Sequence, residues 1–281
     1  MHSRPIYCLG PAGTNAHQAA LAVREDGQRV AFCKTNAEVM RLAATGRQVV
    51  VPIENQGAGG LVLEVINEWI TMVFGGEYES PKITGEYILP ISYCLMAKLT
   101  MSGKERFTRV MSHTQAFLQS TISPRDLTRV QMNSTAEAAK VLAEDSDLWE
   151  STLALATPFA AEIYHLNVLE SCCEKYPWNA TRFHILNGVL QGEATRTALL
   201  LRVKNSHGEL AGVLDVFARA KMNISFVTSI DTTGKREYVF YLEVDANLRA
   251  GVGMDAVNRI RRRQNVLNAY ILGAYPQSKP A

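Results

Sequence analysis

Short apolar runs that break into a turn and then a helix recur along the first half of the chain, and this alternation limits the fold more than any other feature. Ile6 to Leu9 is a strand running into Gly10-Pro11-Ala12-Gly13-Thr14, a turn that opens a helix through Arg24. Arg29 to Cys33 is a second strand; Thr35 or Asn36 can cap the next helix, and Gly46 is placed to end it. Gln48 to Ile53 is a buried strand ending in Glu54-Asn55 and a glycine-rich loop, before an apolar helix from Leu61 to Phe74. Such alternation builds an α/β fold with a largely parallel sheet.

Tyr87 to Lys98 reads as extended and crosses to a second lobe that begins as the first did. Strand Arg109 to Met111 runs into the turn Ser112-His113-Thr114-Gln115 and a helix; Ser134-Thr135-Ala136-Glu137 is a capping box; Thr152 to Ala156 is a strand, and Pro158 starts a helix through His165. Asn179 to Leu186 reads as a return strand. Lobe one is expected over about 1–85 plus 180–190 and lobe two over about 86–179, the whole region spanning 1–190. Ligands of open α/β sheets sit at the carboxyl ends of strands. Gly13-Thr14, Glu54-Asn55, Ser112 to Gln115 and Ser134-Thr135 all occupy such positions, which points to a cleft between the lobes.

Beyond a polar linker, Gln191 to Thr195, the pattern changes. Strand Thr197 to Val203, helix Glu209 to Met222, strand Ile224 to Ile230, a hairpin turn at Thr233-Gly234-Lys235, strand Tyr238 to Val244, helix Met254 to Gln264 and strand Leu267 to Leu272 follow in order. The order βαββαβ over 196–281 is the split-βαβ, ferredoxin-like arrangement.

Composition narrows the function. Among 281 residues, 29 basic and 27 acidic side chains leave a net charge of +2, so no overall field argues for nucleic acid or a membrane surface. The run Arg259 to Arg263 reads as the solvated face of a helix. No apolar stretch reaches the roughly 18 residues of a membrane span, and the polar start is no signal peptide, so a cytoplasmic protein is expected. The cysteines lack CxxC spacing, with Cys8, Cys33 and Cys94 in apolar runs, which suits a reduced compartment; no residue spacing supports a metal site. The first turn is not a phosphate loop, because no lysine follows its second glycine. His17 and His113 read as structural histidines, and on residue type alone Thr181 is an ordinary strand residue and Arg182 an ion-pair or surface arginine.

Five segments taken together resemble the successive signatures of prephenate dehydratases: Gly10 to Thr14, Val51-Pro52-Ile53-Glu54-Asn55, Ser112 to Gln115, Ser134 to Ala139, and Asn179-Ala180-Thr181-Arg182-Phe183. The resemblance implies a two-lobed fold like that of type II periplasmic binding proteins, an ACT domain after it, and no cofactor or metal. It implies loss of carbon dioxide and water from a prephenate-like dianion to give phenylpyruvate. Thr181 then assists departure of the ring hydroxyl and Arg182 holds a substrate carboxylate, with Phe183 beside them. Glu54 and Gln115 act at the cleft, lined further by Asn55, Thr14, Ser112, Ser134 and Thr135; Glu54 could instead brace Arg182. A homodimer or dimer of dimers through the ACT domains is also implied.

The chain departs from the family pattern at Asn15-Ala16, Gln56 and Thr114, positions expected to alter the pocket. The ligand motifs of the ACT domain are degenerate: His207-Gly208-Glu209-Leu210 and Thr228-Ser229-Ile230-Asp231 replace the usual segments, so weak or absent feedback by phenylalanine is expected. A non-aromatising prephenate decarboxylase is the alternative, and a non-catalytic aromatic-acid-binding protein a further one.

Overall fold

A computed structural model describes residues 4–76, 80–99, 107–122, 127–230 and 237–278. β1 (Ile6–Leu9) runs into the Gly10–Thr14 turn, and α1 (Asn15–Val23) begins where the Thr14 hydroxyl accepts the His17 amide. β2 (Val30–Cys33), α2 (Asn36–Ala44) and β3 (Val49–Asn55) repeat the scheme. Thr35 caps α2 by accepting the Glu38 amide, whereas Asn36 turns its side-chain amide to Glu64. β4 (Gly60–Leu61), α3 (Leu63–Gly75) and β5 (Ile83–Pro90) follow. β1, β2 and β3 are mutually parallel; the return strand β11 (Ala180–Leu186) then enters antiparallel between β3 and β5, giving the order β2-β1-β3-β11-β5.

The first sheet reaches further than the expected boundary near residue 85. β5 pairs with β11 from Ile83 to Pro90, so the chain leaves that sheet only after Pro90 and enters the second at Cys94. The second sheet contains β6 (Cys94–Ala97), β7 (Arg109–Ser112), β8 (Thr128–Gln131), β9 (Thr152–Ala156) and β10 (Asn167–Glu170), in the order β10-β6-β9-β7-β8. Its helices are α4 (Thr114–Gln119), α5 (Thr135–Glu144), capped by Ser134, and α6 (Pro158–Tyr164), capped by Thr157 with proline in its first turn.

The C-terminal unit consists of β12 (Arg196–Lys204), α7 (Glu209–Arg219), β13 (Ile224–Ile230), β14 (Glu237–Val244), α8 (Gly251–Arg261) and β15 (Val266–Tyr275). Its antiparallel sheet has the order β13-β14-β12-β15; the expected turn at Thr233–Lys235 lies outside the described residues. Side chains alternate across a strand, and both faces of this sheet are buried. Leu199, Leu201, Leu242 and Val244 pack with Val213, Phe217, Val257 and Ile260 of α7 and α8. Ala198, Leu200, Val239 and Tyr241 instead join Trp69, Ile83 and Leu186 in the core of the first lobe. Glu243 follows Val239 and Tyr241 in the same alternation, which turns a carboxylate toward the first lobe.

Candidate active site

The carboxyl end of β3 and the start of α1 meet the starts of α4 and α5 across the gap between the two sheets. Leu9, Thr14, Asn15, Ala16, Pro52, Asn55, Tyr93, His113, Gln115, Ala116, Asn133, Ser134, Thr135, Thr181 and Phe183 line an open cavity of about 220 Å³. Thr181 and Phe183 enter together because residues two apart on β11 share a face. The two lobes are tied beside this cavity: the Tyr164 hydroxyl donates to the Ala12 carbonyl (2.6 Å), and Asn179 Oδ1 accepts the Gly57 amide (2.8 Å). A Cβ on Gly57 would lie 2.4 Å from Asn179 Oδ1, so any side chain here would push the Asn179 amide out of this bond.

Two buried polar atoms at the cavity lack partners among the described residues. The Thr181 hydroxyl is buried and unpaired, and so is the carbonyl oxygen of the Asn15 side chain. Buried polar groups are nearly always satisfied, so an orphaned hydroxyl on the wall of a cavity is a group held ready for a ligand. Most neighbours already have duties. Thr14 Oγ1 donates to the Leu9 carbonyl while capping α1, Ser134 Oγ accepts the Glu137 amide, and His113 Nδ1 accepts the Gln115 amide. Tyr93 donates to Gln119 Oε1, and burial, then the Glu174 charge, pushes its phenol up to about 12, so it stays protonated. His17 Nδ1 accepts the Gly13 amide; burial, with Arg24 second, holds this imidazole below its ordinary range and therefore neutral.

No lysine or arginine lines the cavity among the described residues. The helix starts of α1 and α5 line it instead, so the positive ends of two helix dipoles lie beside it. The wall thus offers hydroxyls, amides and dipoles rather than a compact cation.

Several expected site residues stand elsewhere. Arg182 follows Thr181 on the strand and therefore points away from the cavity, to the opposite face of the sheet. Its Nε donates to Glu54 Oε2 (3.0 Å), and its Nη1 lies 3.3 Å from Glu86 Oε2 and 2.7 Å from Glu243 Oε2. Burial works against the charged guanidinium, yet the Glu243 carboxylate outweighs it and keeps Arg182 ionised. The expectation that Arg182 grips substrate is corrected: its fork is occupied inside the protein. Glu54 braces Arg182 and does not line the cavity; with the exposed Gln56 it borders a separate hollow of about 590 Å³ that includes Trp178, Phe226, Val227 and Thr228. Ser112 is fully buried and donates to the Leu155 carbonyl (2.6 Å), joining β7 to β9 rather than meeting a ligand. Thr114 is exposed in the first turn of α4 and is absent from the lining. Of the departures, only Asn15 and Ala16 reach the cavity wall.

Tyr93 and Asn133 were not singled out in the sequence. Asn133 directly precedes the capping box, which could have marked it; Tyr93 lies where the chain crosses between sheets, with no local signal. In the C-terminal unit, Gly208 holds φ +73 at the start of α7, and Leu210 packs into the helix-covered core. Glu209 is buried and accepts from Arg263 Nε (2.6 Å), a bond that keeps its carboxyl below the ordinary range. Thr228 borders the hollow near Glu54, and Ser229 is exposed on the edge strand.

Two α/β lobes with a cavity at their strand ends, flanked by helix N-termini and lined by both apolar and hydrogen-bonding side chains, have the form of a small-molecule site. A family model described as prephenate dehydratase matches residues 6–189, and the chain belongs to that family of lyases. The bifunctional chorismate mutase/prephenate dehydratase of Neisseria gonorrhoeae is 28% identical over 282 residues, covering 96% of this chain and 74% of its own. Prephenate dehydratase from Arthrobacter aurescens, solved with L-Phe, superposes with a TM-score of 0.83 at 24% identity, covering 99% and 92% of the two chains. GqqA, described as a novel type of quorum quenching acylase, superposes at 0.79 with 24% identity and 98% of each chain. These two structures establish a shared fold, and one fold carries more than one chemistry.

Proposed function

We propose that this chain is a prephenate dehydratase, with residues 1–190 as a catalytic region of the type II periplasmic-binding-protein kind and 196–281 as an ACT-type domain. The observation that carries the reading is the buried, unpaired Thr181 hydroxyl on the wall of the interlobe cavity.

The reaction breaks two bonds on one ring. The bond to the ring carboxylate cleaves, carbon dioxide departs, and the electron pair left behind becomes a ring double bond as the hydroxyl leaves from the opposite carbon. Hydroxide takes up a proton from solvent to become water, and the ring becomes aromatic. Thr181 Oγ1–H donates a hydrogen bond to that departing oxygen, where negative charge grows. The leaving group needs no strong acid because aromatisation drives the step.

A prephenate-like dianion requires its carboxylates to be held, and the cavity wall offers the helix starts of α1 and α5 with the side chains of Asn55, Gln115, Ser134 and Thr135. Keeping arginine out of the cavity has a chemical use. A tight ion pair on the ring carboxylate would stabilise the charge that decarboxylation must disperse, whereas dipoles hold the anion less firmly.

Feedback by phenylalanine is weak or absent in this reading. Within the degenerate segment His207 to Leu210, Glu209 is anchored to Arg263. The β13 edge, with Val227 exposed, suits pairing with a second copy into a homodimer or dimer of dimers.

The test is purified protein with prephenate, followed by phenylpyruvate absorbance and by mass spectrometry of the product, with and without L-phenylalanine. Phenylpyruvate formed at a rate insensitive to millimolar phenylalanine supports both parts. A decarboxylated, non-aromatic product would move the chain to the alternative lyase, for which the changed residues Asn15 and Ala16 at the wall are the available support. Binding without turnover would leave an aromatic-acid-binding protein.

A further inference from the structure

We infer that Glu243, on the C-terminal unit, is a positioning residue for Thr181 and acts through Arg182. The inference rests on the reading that Thr181 assists the departing hydroxyl.

Thr181 and Arg182 are consecutive on β11, so the first faces the cavity and the second the C-terminal sheet. The guanidinium therefore anchors, from behind, the peptide segment that carries the hydroxyl. Three carboxylates hold it, and they come from three different strands: Glu54 on β3, Glu86 on β5 and Glu243 on β14. Glu243 makes the shortest contact, 2.7 Å, with a side chain only 1% exposed, whereas Glu54 is 22% exposed and Glu86 stands off at 3.3 Å. Glu243 is itself fixed, since the Tyr241 hydroxyl donates to its Oε1.

The anchor acts beside an irregularity on one side of β11, the side that pairs with β3. The register between β11 and β3 shifts between Arg182 and Phe183, so regular pairing is interrupted immediately after the anchored residue. On its other side β11 pairs with β5 without a break from Ala180 to Ile185, so the side-chain anchor fixes Thr181 together with that ladder. Arg196 on β12 adds the second cation, 3.6 Å from both Glu86 and Glu243, and its Nε meets Asp245 at 3.1 Å. Asp245 belongs to the same cluster without an ion pair to Arg182, which makes it the natural control.

The experiment uses the full chain, comparing wild type, Glu243→Gln, Asp245→Asn, Thr181→Ala and the Thr181→Ala/Glu243→Gln double variant on prephenate. Glu243→Gln is expected to lower kcat about tenfold with KM within twofold, since small misplacements of a reacting group act on the chemical step. Asp245→Asn leaves both constants unchanged. In the Thr181→Ala background, Glu243→Gln changes kcat by less than about twofold, because its effect runs through the missing hydroxyl. A second readout is independent of turnover: the 13C-methyl signal of Thr181, identified by its loss in Thr181→Ala, shifts or broadens in Glu243→Gln and stays in place in Asp245→Asn. If Glu243→Gln does not fold, Glu243→Asp takes its place, with the same signs and a smaller kcat loss. An equal loss in the Thr181→Ala background, an unmoved methyl signal, or the same loss from Asp245→Asn would overturn the inference. Failure of the wild type to turn over prephenate would instead remove the proposed function, while the methyl signal would still decide whether Glu243 governs Thr181.

Discussion

Replacing Arg182 with methionine separates the placement found here from the role that residue type and motif suggest. The side chain is 6% exposed and faces three carboxylates, of which Glu86 and Glu243 are at 0% and 1% exposure. Its loss leaves those two with Arg196 as their one cation among the described residues, at 3.6 Å from each. Breaking a buried ion pair by removing one partner costs about 3–5 kcal/mol, a large share of a typical stability of about 5–15 kcal/mol. At roughly 2–4 °C per kcal/mol for a chain of this size class, the melting temperature should fall on the order of 10 °C. Glu86 already has its carboxyl raised by burial, so losing the cation raises it further. An acid whose folded-state value lies above its unfolded one destabilises at high pH and recovers as pH falls. The melting deficit of Arg182→Met relative to wild type should therefore narrow between pH 8 and pH 5, read by calorimetry at each pH. A variant that melts like wild type while its KM for prephenate rises sharply would show that Arg182 meets substrate, and would refute the placement.

Other expectations follow from the same geometry. Gly57→Ala brings a Cβ to 2.4 Å from Asn179 Oδ1, a steric conflict worth about 1–3 kcal/mol, so chemical denaturation should show lower stability and the interlobe tie should loosen. His17 and His184 are held neutral in the folded state, His184 well below its ordinary value chiefly by full burial, then by Arg182 and Arg196. For such depressed values, stability is complete above the unfolded value of about 6.5 and is lost as pH falls toward the folded ones, at up to about 1.4 kcal/mol per pH unit per histidine. Melting temperature measured down from pH 8 should decline below about pH 6.5, and His184→Gln should flatten that slope.

Local chemistry made much of the fold legible. Thr14, Ser134 and Pro158 mark helix starts because a cap or a first-turn proline acts within three residues, and the structure starts α1, α5 and α6 there. β8 and β10 were not legible: Thr128-Arg129-Val130-Gln131 and Asn167-Val168-Leu169-Glu170 are edge strands, largely exposed, and carry little apolar signal. The fate of Arg182 was hidden for another reason. Its partners lie 128, 96 and 61 positions away on three strands, and no spacing in the chain reports that convergence. Strand alternation did contain half the answer, since Thr181 and Arg182 could not both face one cavity. Ser112 shows the same limit: a serine at a strand end reads as a ligand donor until the Leu155 carbonyl is found opposite it.

If the unpaired Thr181 hydroxyl serves the departing ring oxygen, Thr181→Ala and Thr181→Ser must behave differently. Loss of a positioned donor is worth about 10²–10⁴ in rate. Single-turnover measurement of phenylpyruvate formation should show a loss of that size in Thr181→Ala, with substrate binding preserved, and substantial recovery in Thr181→Ser, which keeps the hydroxyl. Equal activity in wild type and Thr181→Ala, or an equal loss in Thr181→Ser and Thr181→Ala, would contradict it.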